Sequence, residues 1–196
     1  MWDEAERYLK KDKFLLPVIE KWGHCAISPK PDTDYFKGLV GDIVGQQLSG
    51  KVADVIEGRL IAKLDNKVTP DNILKVDENE LRNCGMAWAK VRAIKDLAFR
   101  TKNGDLRVTE LNNLSDAEVK SELVQVKGIG PWTADMFLMF KLGRPDIFPL
   151  EDLGIKNGYE KVLGKNWDKL TAQKYAEENW KPWRTVASWY LWRSLD

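Results

Sequence analysis

The sequence predicts an all-α fold, on three observations. Apolar residues recur at the three- and four-residue spacing of amphipathic helices through most of the chain. Helix-start signals come at short intervals, as in Thr69 with Pro70, Asp77 with Glu80 and Ser115 with Glu118. Alternating apolar and polar runs of the kind that make strands hardly occur. A chain of 196 residues can bury a substantial core, and it leaves room for one domain or for one domain in two lobes.

Each element follows from a local signal. From Tyr35 to Leu64 the apolar positions keep helical spacing, interrupted by "VGQQLSGK", where Gly45 and Gly50 predict that two helices meet at a bend. Thr69 before Pro70 predicts a capped start and Asp77 with Glu80 a capping box, so two short helices are expected there. Met86 to Lys102 carries a long helical pattern that "NGDL" stops, and Ser115 with Glu118 makes a further capping box ahead of an apolar run. Pro131 starts a helix through Leu142, "GRPDIFP" breaks it, Asp152 to Leu163 is expected to be helical, and Pro182 opens a final aromatic helix. No internal repeat, linker or low-complexity tract is present.

Composition narrows the function classes. With 31 Lys plus Arg against 30 Asp plus Glu, the formal charge of +1 supplies no strong field to draw in an anionic polymer, and it does not exclude one. No apolar run reaches signal-peptide or membrane-span length, so an intracellular protein is expected. Cys25 and Cys84 lie far apart, without the paired spacing of a zinc or iron–sulfur site, and are expected to be reduced and mostly buried. His24, the only histidine, has no catalytic neighbours in sequence and is expected in a surface or packing role. Nine tryptophans are unusual, and packing is the expected role of most, Trp180 and Trp183 included.

The most informative stretch is Leu123 to Met136, "LVQVKGIGPWTADM". A helix from Ser115 runs into Gly128-Ile129-Gly130, where glycine tolerates positive φ and leaves the backbone uncovered, and Pro131 preorganises the next helix. Such a turn exposes amides at a helix N-terminus, where the helix dipole favours a phosphate oxygen. Contacts of this kind position a nucleic-acid backbone without reading its sequence. An αα-hairpin that merely packs two helices would use the same glycines, and "GIG" alone leaves the two readings level.

The surrounding residues tilt the balance, because the sequence resembles the helix-hairpin-helix DNA glycosylases, and within them the 3-methyladenine DNA glycosylase II group. The family pattern is matched in order by Leu123, Gly128, Ile129, Gly130, Thr133, Ala134 and, some twenty residues on, Asp152. "GDIVGQQLSGKVA" upstream and "WKPWRTVASWYLW" downstream are similar to segments of that group, so the resemblance covers roughly residues 35 to 193. Lys127 departs from it, standing where the family often has proline, and the chain is too short for the extra N-terminal β domain of some members.

The resemblance implies a two-lobed helical fold with the active-site cleft between lobes, the N- and C-terminal segments forming one lobe, about 35–142 the other, and the hairpin at 123–134. It implies Asp152 as the catalytic carboxylate, Trp132 and Trp192 as base-pocket aromatics, Gln47 with Leu48 as the wedge that fills the gap left by a flipped base, and Gly128, Gly130 and Thr133 as phosphate-binding positions. Members that also nick the strand carry a lysine where this chain has Trp132; an indole cannot form an imine, so hydrolysis without lyase chemistry is expected. No cofactor is expected to be required, although the resemblance implies a monovalent cation, Na or K, on the main-chain carbonyls of Val124, Val126 and Ile129. The implied partner is double-stranded DNA containing damaged bases, acted on by a monomer in the cytoplasm or nucleoid of a prokaryote or the nucleus of a eukaryote. Alkylated purines are the expected lesions, since a cationic or weakly held base needs no strong general acid. Two other readings stand beside this one: a glycosylase for oxidised or mismatched bases, and a non-catalytic helix-hairpin-helix DNA-binding protein.

Overall fold

Helix-start and helix-stop chemistry can be followed through a computed structural model of the chain, which describes residues 1–28 and 34–196. Among the described residues there are α-helices, one 3₁₀ helix and no strand, as the periodicity predicts. The chain divides into two compact units, one comprising Met1–Pro31 with Asp135–Asp196 and the other Asp32–Ala134. No helix among the described residues is long and apolar enough to cross a membrane.

The middle unit begins with α3 (Tyr35–Gly45) and α4 (Gly50–Lys63), following α1 (Asp3–Leu9) and α2 (Leu16–Trp22) of the other unit. The predicted bend is the loop Gln46–Ser49, and the Asp34 side chain caps α3 by accepting from the Lys37 N–H at 3.1 Å. In α5 (Pro70–Lys75) Thr69 caps the Asn72 N–H as expected. Before α6 (Glu78–Asn83) Asp77 caps the Asn79 N–H at 2.8 Å, but Glu80 does not close the expected box; its carboxylate pairs with Lys63 on α4. A nearby ammonium holds that carboxylate outward, which a four-residue motif cannot foresee. Helix α7 (Trp88–Asn103) ends at Gly104 in the left-handed region, φ 81°, a conformation that glycine adopts without strain. A 3₁₀ helix, Val108–Asn113, leads to α8 (Asp116–Leu123), whose Ser115–Glu118 capping box is complete. The core of this unit gathers Leu39, Ile43, Leu60, Ile73, Leu81, Met86, Ile94 and Leu97, each fully buried.

In the other unit the chain continues through α10 (Leu153–Leu163), α11 (Lys169–Asn179) and α12 (Arg184–Arg193), after α9 (Pro131–Phe140), within which the boundary between the units falls. Helices α1, α2 and α11 escaped the sequence reading: α1 and α2 are seven-residue helices without a side-chain cap, whereas α11 carries a start signal that was overlooked, Asp168 accepting from the Thr171 N–H at 2.8 Å. Trp180 is completely buried, as expected of a packing residue, among the edge-on rings of Phe148, Tyr159 and Tyr175, and it donates to Asp12 Oδ2 at 2.7 Å. Trp183 is half-buried at the N-cap of α12. The start of α12 is clipped to the segment before the candidate site: Arg184 forms a two-pronged ion pair with Asp146, and Thr185 Oγ1 donates to the Arg144 carbonyl while accepting from the Ile147 N–H.

Candidate active site

Asp152 is the N-cap of α10, its backbone extended and its Oδ1 accepting from the Ile155 N–H at 2.8 Å. The same oxygen accepts from Trp192 Nε1 at 2.8 Å. The two donors anchor the half-buried carboxylate at the N-terminus of a helix, so its orientation is fixed. Glu151, the neighbouring carboxylate, is exposed and paired with Lys169 at 2.6 Å. Of the clustered aromatics on α12, Trp189 and Tyr190 are buried, and Trp192 is the half-exposed one that turns to Asp152. Its ring stacks on Phe140, centroids 6.0 Å apart with 25° between planes, and Phe140 is itself 39% exposed. The indole fits only because position 154 is glycine: a Cβ there would lie 2.8 Å from Trp192 Cδ1 and 3.0 Å from Asp152 Oδ1.

The hairpin occupies the other unit. α8 ends at Val124, Gly128 turns the chain at φ 80°, Ile129 is buried and Pro131 begins α9. A Cβ on Gly128 would come within 3.2 Å of Ala93 Cβ on α7, so glycine is required there by both φ and space. Among the described residues neither the Gly128 nor the Gly130 N–H has a hydrogen-bond partner. Trp132, in the first turn of α9, is 42% exposed, while Thr133 is buried with Oγ1 3.5 Å from Gln46 Nε2. Val124 and Ile129 offer carbonyls that accept from no described residue, and that of Val126 takes the Ile129 N–H at 3.0 Å. Gln47 stands exposed at φ 57°, beside Leu48, which is 37% exposed.

Three residues that sequence reasoning missed support this region. Gln46 Nε2 donates to the Gly128 carbonyl at 2.9 Å. Lys90 Nζ donates to the carbonyls of Val44 and Gln46 at 2.7 and 2.8 Å, placing a cation at the C-terminus of α3. Asp96 accepts from the Lys127 N–H at 2.9 Å; burial raises its pKa, but this bond and Arg100 outweigh burial and hold it below the usual carboxylate value. Only the doubled glutamine at 46–47 hinted at any of them.

The geometry can be set beside known proteins. Residues 40–185 match the HhH-GPD superfamily base excision DNA repair protein family. The chain belongs to this family. As an HhH-GPD protein it is 36% identical, over 164 residues, to the DNA-3-methyladenine glycosylase 1 of Schizosaccharomyces pombe, covering 81% of this chain and 72% of that one. The crystal structure of the DNA-3-methyladenine glycosidase from Bacillus halodurans superposes with a TM-score of 0.87 at 34% identity, covering 98% of this chain and 90% of the other. The Schizosaccharomyces pombe 3-methyladenine DNA glycosylase Mag1, in complex with abasic DNA, gives 0.81 at 32% identity, covering 97% and 96%. Cys84 is buried and Cys25 half-buried, neither thiol is in a disulfide, and His24 is an exposed partner of Glu6 at 2.9 Å.

Proposed function

We propose that this HhH-GPD protein is a monofunctional DNA glycosylase that flips alkylated purines of the 3-methyladenine and 7-methylguanine type out of duplex DNA and hydrolyses their N-glycosidic bonds in base excision repair. The observation that carries the reading is the Asp152 carboxylate, fixed by two donors on one oxygen beside a half-exposed indole. Departure of the base builds positive charge on the deoxyribose, and an anchored anion stabilises that charge or orients the attacking water without having to reorganise. Trp192, beside the acid, supplies an electron-rich ring for a cationic base, a preference that needs no hydrogen-bond code, and the family resemblance gives Trp132 the same role. With Trp132 where a lyase would carry lysine, no imine to the sugar forms and the product is an abasic site. The relatives named for 3-methyladenine and the neighbour solved with abasic DNA support the same substrate class.

At the hairpin, the bare amides of Gly128 and Gly130, at the N-terminus of the helix that Thr133 enters, would take a backbone phosphate. The carbonyls of Val124, Val126 and Ile129 would hold Na or K there, two of the three being unclaimed by described donors, and the ion's charge would offset repulsion between phosphates. Gln47 and Leu48, exposed on their loop, would fill the vacated stack. The chain is proposed to act as a monomer, inside the cell where the genome lies.

The test is release of bases from methylated duplex DNA, followed by chromatography, with wild type and Asp152→Asn. Asparagine keeps an oxygen to cap α10, so the fold and DNA binding should persist while release slows by roughly 100-fold or more. Equal release by Asp152→Asn would remove the catalytic assignment, and no release by wild type would leave a DNA-binding module. Strand cleavage without heat or alkali would refute the hydrolytic mechanism.

A further inference from the structure

We propose that Gln46 is a positioning residue: its side-chain amide ties the loop between α3 and α4 to the hairpin, so that the grip on the DNA backbone sets where Gln47 and Leu48 enter the duplex. The inference rests on the glycosylase reading and extends it to a residue to which the resemblance assigned no role.

The loop Gln46–Ser49 has little support of its own. Its internal backbone bond is Leu48 N–H to the Gly45 carbonyl at 3.1 Å, Gln46 has left the helix at φ −49° and ψ 130°, and Gln47 sits at positive φ. What fixes it comes from elsewhere in the same unit. Gln46 Nε2 reaches the Gly128 carbonyl at 2.9 Å, across 82 residues of sequence, and lies 3.5 Å from Thr133 Oγ1. Lys90 binds the Gln46 carbonyl from below, Ala93 lies against Gly128, and Asp96 holds the Lys127 N–H. Lys90, Ala93 and Asp96 recur at three-residue intervals and so follow one side of α7, which therefore braces the loop and the hairpin together. Gln46 is the direct link between the two, adjacent to the proposed wedge on one side and to the proposed phosphate grip on the other.

The chemistry demands an amide. Glutamate at 46 would set a carboxylate oxygen against the Gly128 carbonyl, and alanine would leave that carbonyl without its donor and the loop without its amide tie to the hairpin. Either change frees the wedge from the grip without touching the acid or the indoles. A misplacement of about 1 Å at a reacting centre can cost on the order of 100-fold in rate, so a loose wedge should be visible in flipping and excision rather than in stability.

The experiment places 2-aminopurine opposite a stable abasic-site analogue in duplex DNA, where its fluorescence reports a side chain filling the gap. DNA affinity, melting temperature and excision from methylated duplex are measured alongside. Gln46→Ala and Gln46→Glu should melt near wild type and bind within about threefold, yet lose most of the fluorescence change and about 10- to 100-fold in excision rate. Wild-type fluorescence and excision in both variants would overturn the proposal, and so would an affinity loss as large as the excision loss, which would mark general damage to the hairpin. Gln47→Ala with Leu48→Ala separates the layers. If that pair keeps the fluorescence change, the wedge assignment fails and the link falls with it; if it loses the change while Gln46→Ala does not, the link alone fails. Absence of base release by wild type, with gap filling intact, would instead strike the glycosylase reading.

Discussion

Asp152 draws two duties from one oxygen: it caps α10 and it is the acceptor for the Trp192 indole. A carboxylate that merely capped a helix would need no aromatic donor, and a catalytic one benefits from having its orientation fixed before the substrate arrives. Gly154 makes the pairing possible by leaving the indole a seat. Gly154→Ala should push Trp192 off the carboxylate, because its Cβ would meet ring atoms at 2.8 and 3.0 Å. The expected outcome in a single-turnover excision assay is a rate reduced by about 10-fold or more with DNA affinity retained, since displacement of a positioning group acts on the chemical step. A rate equal to wild type would detach the indole from the acid's function. The family resemblance singled out Asp152 and Trp192 separately; their hydrogen bond spans 40 residues and follows from the rotational setting of two helices, which no local motif carries.

At the scale of elements, the crossing of α10 and α12 delivers that indole. Gly158, one turn beyond Gly154, lies against the backbone of α12: a Cβ there would be 2.4 Å from the Leu191 carbonyl oxygen and 2.8 Å from its carbon. The obstacle is backbone, not the end of a flexible side chain, so relief requires the helices to separate. Gly158→Ala should therefore destabilise by about 3 kcal/mol despite alanine's better helix propensity, read as a lowered urea midpoint at unchanged slope. Stability at or above wild type would show that the helices pack differently. Glycines four apart on α10 did not disclose this approach in the sequence, because the helix that packs against them is chosen only by tertiary structure. The hairpin differs in this respect: positive φ at Gly128 and the proline start of α9 are imposed within a few residues, and they were legible. Its brace along α7 was not, because Lys90 and Asp96 read as ordinary solvated charges until their acceptor and donor arrive from 31 to 46 residues away.

For the molecule as a whole, the unit formed by Met1–Pro31 and Asp135–Asp196 binds its two segments together through buried polar groups as well as rings. Asp12 accepts from Tyr175 at 2.9 Å and from Trp180 at 2.7 Å, and the Tyr190 hydroxyl donates to the Gly23 carbonyl at 2.6 Å. Burial pushes the Cys25 thiol up to about 12 from an ordinary 9.0, and raises the phenols of Tyr175 and Tyr190, the former also through Asp12 and the latter through Glu6. Below the ordinary thiol and phenol values these groups are neutral in both folded and unfolded chains, and their contribution is fully present. As pH rises past that range the unfolded chain releases protons first, so the contribution is lost on the way up to the folded values. Urea midpoints should accordingly fall between about pH 8 and pH 10.5, and less steeply in Tyr190→Phe; an equal slope in that variant would show that the phenol does not contribute. The sequence by itself determined the helical class, most of the starts and stops and the glycine turn of the hairpin, because capping, glycine turns and proline starts are settled among backbone groups a few residues apart. Tertiary structure alone decided which of the clustered tryptophans meets Asp152, that Glu80 leaves its cap for Lys63, and that Gln46 rather than its neighbour closes on the hairpin. Those choices depend on side chains brought together over 17 to 82 residues, and their geometry exists only once the helices have packed.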